Sequence, residues 1–315
     1  VTSGHGHAAV TPAGRLTRGF EVPAGLASNI AGDDEDGAAR RAWLEALPGT
    51  VADLAERWSL EVGRPFQPGG NASWVAPARD AAGRRLVLKA GWRHEEAEHE
   101  AAALRAWNGR GAVRVFRWLL ACDTSALLLE ACEPGTPLER ALPPREQDVV
   151  VAGLLRRLWT GPPAGRPFRP LAAMCGRWAG EFERRYAAAR ARGSDELDPG
   201  IARAGTELFR LLPATAGRRV LLCTDLHPGN VLAAAREPWL VIDPKPHAGD
   251  PAYDPLQHML NFPGRLAGDP AGFADRMAGL LGLDADRVRS WLFARCVQES
   301  VGVPHLRAAA IQLAP

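Results

Sequence analysis

The chain has 315 residues, 46% hydrophobic and 23% charged, enough for one large domain or two lobes that each bury a core. A net charge of +2 leaves no electrostatic footprint for nucleic acid or an anionic membrane, and no apolar run approaches the roughly 20 residues needed to span a bilayer. Five dispersed cysteines, with no CxxC pair and no zinc-type spacing, read as reduced thiols in a cytoplasmic protein. Of 38 Lys and Arg residues only Lys89 and Lys245 are lysine. Where arginine is the default cation, a remaining lysine marks a place for a compact ammonium group.

The stretch from Val1 to Gly19 has no apolar signal-peptide core, which points away from secretion. Residues 1–38 read as a mobile or loosely docked segment. From Ala39 to Trp58 the apolar positions Trp43, Leu44, Leu47, Val51, Leu54 and Trp58 predict one or two short amphipathic helices, interrupted near Pro48-Gly49. Phe66 to Ala78 and Arg85 to Ala90 read as strands joined by a turn at Asp80 to Gly83. Glu95 to Trp107 reads as a helix. Val113 to Leu120 and Ser125 to Glu130 read as two more strands. Pro134-Gly135-Thr136-Pro137 marks a break, and a boundary between lobes is expected near residue 133.

Beyond that break the pattern is helical over Arg145 to Leu158, Leu171 to Arg192 and Gly200 to Leu212. Two short apolar runs follow, Arg218 to Thr224 and Trp239 to Asp243. The chain is helical again from Pro255, with breaks near Gly264 to Gly268 and Gly282 to Asp284.

The strongest chemical signal is Asp225-Leu226-His227-Pro228-Gly229-Asn230. An Asp and an Asn five apart on a tight loop match the catalytic loop of the kinase template. The Asp orients an attacking hydroxyl and accepts its proton, and the Asn supplies a metal ligand without a second charge. Asp243 follows 13 residues after Asn230, at the end of the apolar run Trp239 to Ile242. That is where the template places its metal-binding aspartate. Lys89 ends an apolar strand upstream, as a phosphate-binding lysine would. Its acid partner is sought on the next helix, where Glu95, Glu96, Glu98 and Glu100 compete. Glu100 is preferred because Leu104 lies one turn on along the same face, with Glu96 next. Gly69, Gly70 and Ser73, in the turn Pro68 to Ser73, are candidates to approach phosphates through their backbone. The run Leu127 to Cys132 is a candidate hinge, in which backbone groups at Glu130 and Cys132 would read a purine.

These segments resemble the aminoglycoside phosphotransferase family, and within it the streptomycin 6-kinase and hydroxyurea phosphotransferase branch. The resemblance is carried by Val220 to Leu232, by Glu237 to Pro246 with Ile242-Asp243-Pro244-Lys245, and by Gly249-Asp250-Pro251-Ala252-Tyr253-Asp254-Pro255. It departs at Cys223-Thr224, where the family usually has His-Gly.

The resemblance implies an α+β, bilobal, protein-kinase-like fold. Residues 39–133 would form a small sheet-containing nucleotide-binding lobe, and residues 134–315 a mostly helical catalytic and substrate-binding lobe. It implies ATP, or GTP, with Mg²⁺, and phosphorylation of a hydroxyl on a small molecule such as streptomycin. Asp225 would be catalytic, Asn230 and Asp243 metal ligands, and Lys89 the phosphate-binding lysine. A cationic antibiotic would call for acids on the C-terminal helices, where Glu181, Glu183, Asp195, Glu196 and Glu299 are available. His227 would brace the loop, and Asp254 would hydrogen-bond within the core. Lys245 is open between a phosphate contact and a salt bridge. A nucleotide-binding protein without catalysis, and a housekeeping metabolite kinase, are the competing readings.

Overall fold

The computed structural model describes residues 20–30, 36–70, 72–95, 98–162, 168–194 and 197–315. Most of the N-terminal segment, Asn71, Glu96 and the Asp195-Glu196 pair therefore lie outside the described residues. The chain divides into two compact units. One comprises residues 1–98 and 115–131, the other 99–114 and 132–315.

The first unit begins with helices α1 (Ala24–Ile30) and α2 (Gly37–Trp58). Its sheet is built from β1 (Glu61–Val62), β2 (Ser73–Arg79), β3 (Arg85–Trp92). The second unit takes α3 (Glu100–Trp107), after which β4 (Val115–Leu120) and β5 (Thr124–Glu130) complete the sheet. The strand order is β1-β2-β3-β5-β4 and every pairing is antiparallel. The β2–β3 turn forms because Asp80 Oδ1 accepts from the amides of Ala82 and Arg84 at 3.1 and 2.9 Å, a local bond that favours Asp in turns.

Sequence periodicity predicts an interruption of α2 at Pro48, yet α2 runs unbroken through it. A proline removes one helical N–H and normally kinks or ends a helix. Here Trp43, Leu47, Val51, Leu54, Ala55 and Trp58 form one buried stripe against Trp74, Ala76, Leu86, Leu88 and Ala90 of the sheet. Burying side chains of this size contributes roughly 1.5–3 kcal/mol each, enough to outweigh the proline penalty of ~3 kcal/mol.

The second unit continues with α4 (Leu138–Ala141), α5 (Pro144–Leu158), α6 (Leu171–Ala191) and α7 (Pro199–Leu211). Two short ribbons follow. The outer one pairs β6 (Val220–Leu222) with β9 (His247–Gly249), and the inner one pairs β7 (Val231–Ala233) with β8 (Trp239–Val241). The chain closes with α8 (Leu256–Leu260), α9 (Pro263–Gly268), α10 (Pro270–Leu281), α11 (Ala285–Gln298) and α12 (Pro304–Leu313). The expected break at Gly264 to Gly268 is instead α9, and the break at Gly282 to Asp284 is present.

Helix starts follow the sequence. Asp198, Asp269 and Asp284 each accept from amides in the first turn of α7, α10 and α11, as side-chain caps do. Gly205 lets α7 and α11 meet closely, because a Cβ there would lie 2.5 Å from Val297. Trp107 of α3 is fully buried and donates to the Leu158 carbonyl at 2.8 Å, fastening α3 to the end of α5. No described helix is long and apolar enough to cross a membrane.

Candidate active site

The two ribbons of the second unit present their connecting loops together. Asp225 follows β6, and a single 3-10 turn at Pro228–Asn230 leads into β7. Asp243 follows β8 and Lys245 precedes β9. The inner hairpin is anchored from outside. Val241 donates to the Gly111 carbonyl at 2.9 Å and accepts from the Val113 amide at 3.0 Å. Arg236 donates to the Gly109 and Ala112 carbonyls at 2.6 and 3.0 Å.

Within this frame the sequence-predicted residues Asp225, Asn230 and Asp243 come together. Asn230 Nδ2 donates to the Asp225 carbonyl at 3.1 Å, and the Ile242 amide donates to the Asn230 carbonyl at 2.9 Å. Asn230 is thereby locked between the loop carrying Asp225 and the residue preceding Asp243. With its amide nitrogen engaged, its side-chain oxygen points elsewhere as an acceptor. His227 Nδ1 accepts from the Gly229 amide at 3.2 Å. Burial holds the His227 imidazole below its ordinary pKa, against the opposing pull of Asp225, Glu139 and Asp243. A neutral ring accepting at Nδ1 braces the turn, as expected.

Asp225 is largely buried, with 17% of its side chain exposed, and its Oδ2 lies 3.2 Å from Lys245 Nζ. Burial raises its pKa above the ordinary carboxylate value, and Asp243 adds to the rise. Lys245 and His227 oppose it. A desolvated carboxylate is a stronger proton acceptor than one in water.

Two residues of the site hold left-handed backbone, Thr224 at φ 54° and Asp243 at φ 51°. For a β-branched residue this conformation costs of order 1–3 kcal/mol and must be held by its surroundings. The holding group is Asp254, which is fully buried. Its Oδ1 accepts from the Thr224 amide at 2.7 Å, and its Oδ2 from the Cys223 amide at 3.2 Å and from Trp159 Nε1 at 2.8 Å. Thr224 Oγ1 donates to the Lys245 carbonyl, and the Lys245 amide donates to the Cys223 carbonyl at 3.0 Å. Cys223 is fully buried and burial keeps its thiol protonated. The departure from His-Gly is thus accommodated. Thr224 occupies a conformation that glycine adopts without strain, and two bonds to Asp254, itself held by Trp159, fix the loop.

The other sequence-predicted residues are distributed as follows. Lys89 lies on β3 and is mostly buried. Glu100 begins α3 and is buried, at a helix N-terminus whose dipole favours a carboxylate. Gly69 takes φ 89° and abuts Pro23, where a Cβ would lie only 2.4 Å from the proline ring. That position is claimed by packing. Gly70 is open apart from the Ser73 carbonyl, and Ser73 begins β2. Glu130 ends β5, and Cys132 is the first residue of the second unit after it. Among the acids considered for a cationic substrate, Glu183 is held in a bidentate pair with Arg210 and Glu299 pairs with Arg295. Glu181 is exposed on α6.

The family model for aminoglycoside/hydroxyurea antibiotic resistance kinases matches residues 57–304. The chain belongs to this family. It is a small-molecule kinase. It is 41% identical to a hydroxyurea phosphotransferase of Kitasatospora aureofaciens over 83% of this chain and 74% of that protein. It is 34% identical to a streptomycin 6-kinase of Streptomyces glaucescens over 93% of this chain and 96% of that protein. A Streptomyces griseus streptomycin 6-kinase is 36% identical, covering 90% of each. The fold recurs in a macrolide 2'-phosphotransferase of Brachybacterium faecium, at 20% identity, 86% and 98% coverage and a TM-score of 0.52. It recurs again in a Plasmodium vivax ethanolamine kinase, at 14% identity, 89% coverage of each chain and a TM-score of 0.55. The expected α+β, protein-kinase-like fold is borne out.

In this antibiotic resistance kinase homologue, Asp254 is a residue whose structural reach sequence reasoning understated. Asp254→Ala orphans three donors, two of them backbone amides beside Asp225. Each buried donor left unsatisfied costs about 1–3 kcal/mol. The expected result in urea denaturation is a loss of about 3 kcal/mol or more. Asp254 also leaves a pH signature. Burial lifts its carboxyl to about 6 from the ordinary 3.8. Between those values the folded state holds a proton that the unfolded state has released. The part of the stability linked to that proton is therefore lost as pH rises through about 6, and the Ala variant should lack this pH-dependent component.

Proposed function

We propose that this kinase transfers the terminal phosphoryl group of ATP to a hydroxyl of a small antibiotic, with streptomycin the first candidate acceptor. One observation carries the reading. The largely desolvated Asp225 carboxylate stands on a loop tied down at both ends, beside Asn230, which is bonded to the residue before Asp243. Catalysis of phosphoryl transfer is mainly positioning and electrostatics, and a tied loop with a desolvated carboxylate supplies both.

Asp225 orients the acceptor hydroxyl for in-line attack and accepts its proton as the new P–O bond forms. Asn230 and Asp243 offer an amide oxygen and a carboxylate. That is a hard donor set suited to Mg²⁺, which typically takes one or two protein ligands together with phosphate oxygens. Among the described residues no group of three or more His, Cys, Asp or Glu is placed to hold a metal. Asn230 and Asp243 would hold Mg²⁺, which would supply positive charge against the phosphates. Lys89 holds the α- and β-phosphates, with Glu100 as its acid partner. Gly70 and Ser73 approach the phosphates through backbone, with Gly69 shaping that turn. Backbone groups at Glu130 and Cys132 read the purine, a mode that admits GTP as an alternative donor. The substrate is a small molecule met in the cytoplasm, where the nucleotide is available.

Streptomycin is favoured because two relatives named streptomycin 6-kinase align over 96% and 90% of their own lengths. Hydroxyurea is the second reading, because the relative named for it shares 41% identity. The test is ATP consumption and product mass on a panel of aminoglycosides, tuberactinomycins and hydroxyurea. The expected result is a gain of one phosphoryl group on streptomycin, abolished by chelating Mg²⁺. No turnover on any member, or turnover that persists in Asp225→Ala, would sink the proposal.

A further inference from the structure

We propose that Lys245 is a catalytic residue, whose ammonium group contacts the phosphoryl group in flight. The proposal rests on the reading of Asp225 as the residue that orients the attacking hydroxyl.

Three observations carry it. First, Lys245 Nζ lies 3.2 Å from Asp225 Oδ2. A hydroxyl held by Asp225 attacks a phosphorus about 3–3.5 Å away, so the oxygens of that phosphoryl group fall within reach of the same ammonium. Second, the backbone of Lys245 is fixed to the catalytic loop. Its amide donates to the Cys223 carbonyl at 3.0 Å, and its carbonyl accepts from Thr224 Oγ1 and faces His247 Nδ1 at 3.0 Å. A surface ion pair contributes little to stability and does not need a strained Thr224 to aim it. Third, the side chain is 39% exposed, so solvent and a ligand both reach its head. In a chain with 38 basic residues and two lysines, a compact ammonium occupies this one position in the catalytic loops.

The step balances without further reagents. The bond from the γ-phosphorus to the bridging oxygen of ATP breaks as the bond to the acceptor oxygen forms. The hydroxyl proton passes to Asp225, and ADP leaves with the bridging electron pair. Lys245 stays protonated throughout. Its charge shifts from the Asp225 carboxylate toward the equatorial phosphoryl oxygens as Asp225 becomes neutral.

The experiment compares wild type, Lys245→Met, Lys245→Arg and Asp225→Asn. Calorimetry reads affinity for Mg²⁺–ADP and for a non-hydrolysable Mg²⁺–ATP analogue, steady-state kinetics reads kcat and acceptor KM, and thermal melts read Tm. For Lys245→Met the expected result is unchanged ADP affinity and about tenfold weaker analogue binding. Its kcat should fall about 100-fold or more, the usual effect of removing one group that stabilises transition-state charge, with acceptor KM nearly unchanged. Lys245→Arg should restore analogue binding in part and little of kcat, because a planar fork does not reproduce a point charge. Equal loss of affinity for both nucleotides, or kcat within threefold of wild type, overturns the proposal. If wild type phosphorylates nothing, the Asp225 reading fails on the kinetic arm. The analogue-against-ADP ratio still decides Lys245.

Discussion

Asp225→Asn is expected to lower kcat about a thousandfold while leaving the protein at least as stable as wild type. The magnitude is that of removing a positioned general base, roughly 10² to 10⁴-fold. The asparagine oxygen can still accept from Lys245 and still orient a hydroxyl, so acceptor KM should move little. What it cannot do is take the proton. The stability side follows from electrostatics. Burial and Asp243 both disfavour the charged Asp225, and together they raise its pKa despite Lys245 and His227. At neutral pH the fold therefore carries this carboxylate at a cost, and a neutral amide of the same shape removes that cost. Active sites commonly hold residues that would fold better if replaced. Steady-state kinetics with thermal melts on the same preparations checks both halves. A variant that retains activity, or loses activity and Tm together, contradicts the argument.

The parts of this site that sequence made visible are those carried within one short stretch of chain. Asp225, Asn230 and Asp243 lie on two consecutive loops joined by a three-residue hairpin pair, so spacing alone brings them together. The β2–β3 turn was readable for the same reason, since its donors and acceptor are a few residues apart. Groups that act across long separations were hidden. Asp254 reaches back 30 residues to the Thr224 amide, and its full set of donors depends on how the outer ribbon folds. The positive φ of Thr224 was unreadable, because a threonine carries no signal for a left-handed conformation. Pro48 misled because local propensity was outweighed by a buried stripe that only the sheet completes. Lys245 shows the limit most plainly. Its rarity was visible, but its aim at Asp225 required coordinates.

Asp148→Ala is expected to cost about 3–5 kcal/mol in chemical denaturation at neutral pH, the largest effect of any single change away from the catalytic loops. Asp148 sits on the buried face of α5, in line with Val151, Ala152 and Leu155. An acid on the core face of an amphipathic helix is the signal by which sequence could have found it. Its carboxylate is fully buried and takes four bonds from three helices. His258 of α8 donates from Nε2 at 2.8 Å, Arg265 of α9 binds both oxygens at 2.8 Å, and Arg276 of α10 binds at 2.7 Å. The Arg265 guanidinium also lies 3.7 Å from the centre of the Phe273 ring. Two arginines already outweigh one carboxylate, and burial holds His258 below its ordinary pKa, so the imidazole stays neutral.

Removing Asp148 leaves two cations and an N–H donor facing one another, and breaking a buried pair from one side typically costs 3–5 kcal/mol. Partial exposure of both arginines places the expectation toward the lower end. The pH dependence has the opposite sign to that of Asp254. His258, Arg265 and Arg276 hold the Asp148 pKa well below the ordinary 3.8. The stability it contributes is therefore complete above that value and is lost as pH falls below it. Wild type should show a steep acid limb that Asp148→Ala lacks. The loss should reach the active site as well. Helix α8 begins two residues after Asp254, so loosening α8 loosens the group that holds Thr224 and Cys223 beside Asp225. The variant should thus lose kcat at temperatures where it remains folded, with both losses eased by low concentrations of a stabilising osmolyte. A destabilisation under about 1 kcal/mol, or an acid limb unchanged from wild type, would show that the four helices are held by apolar packing and that the buried charge network adds little.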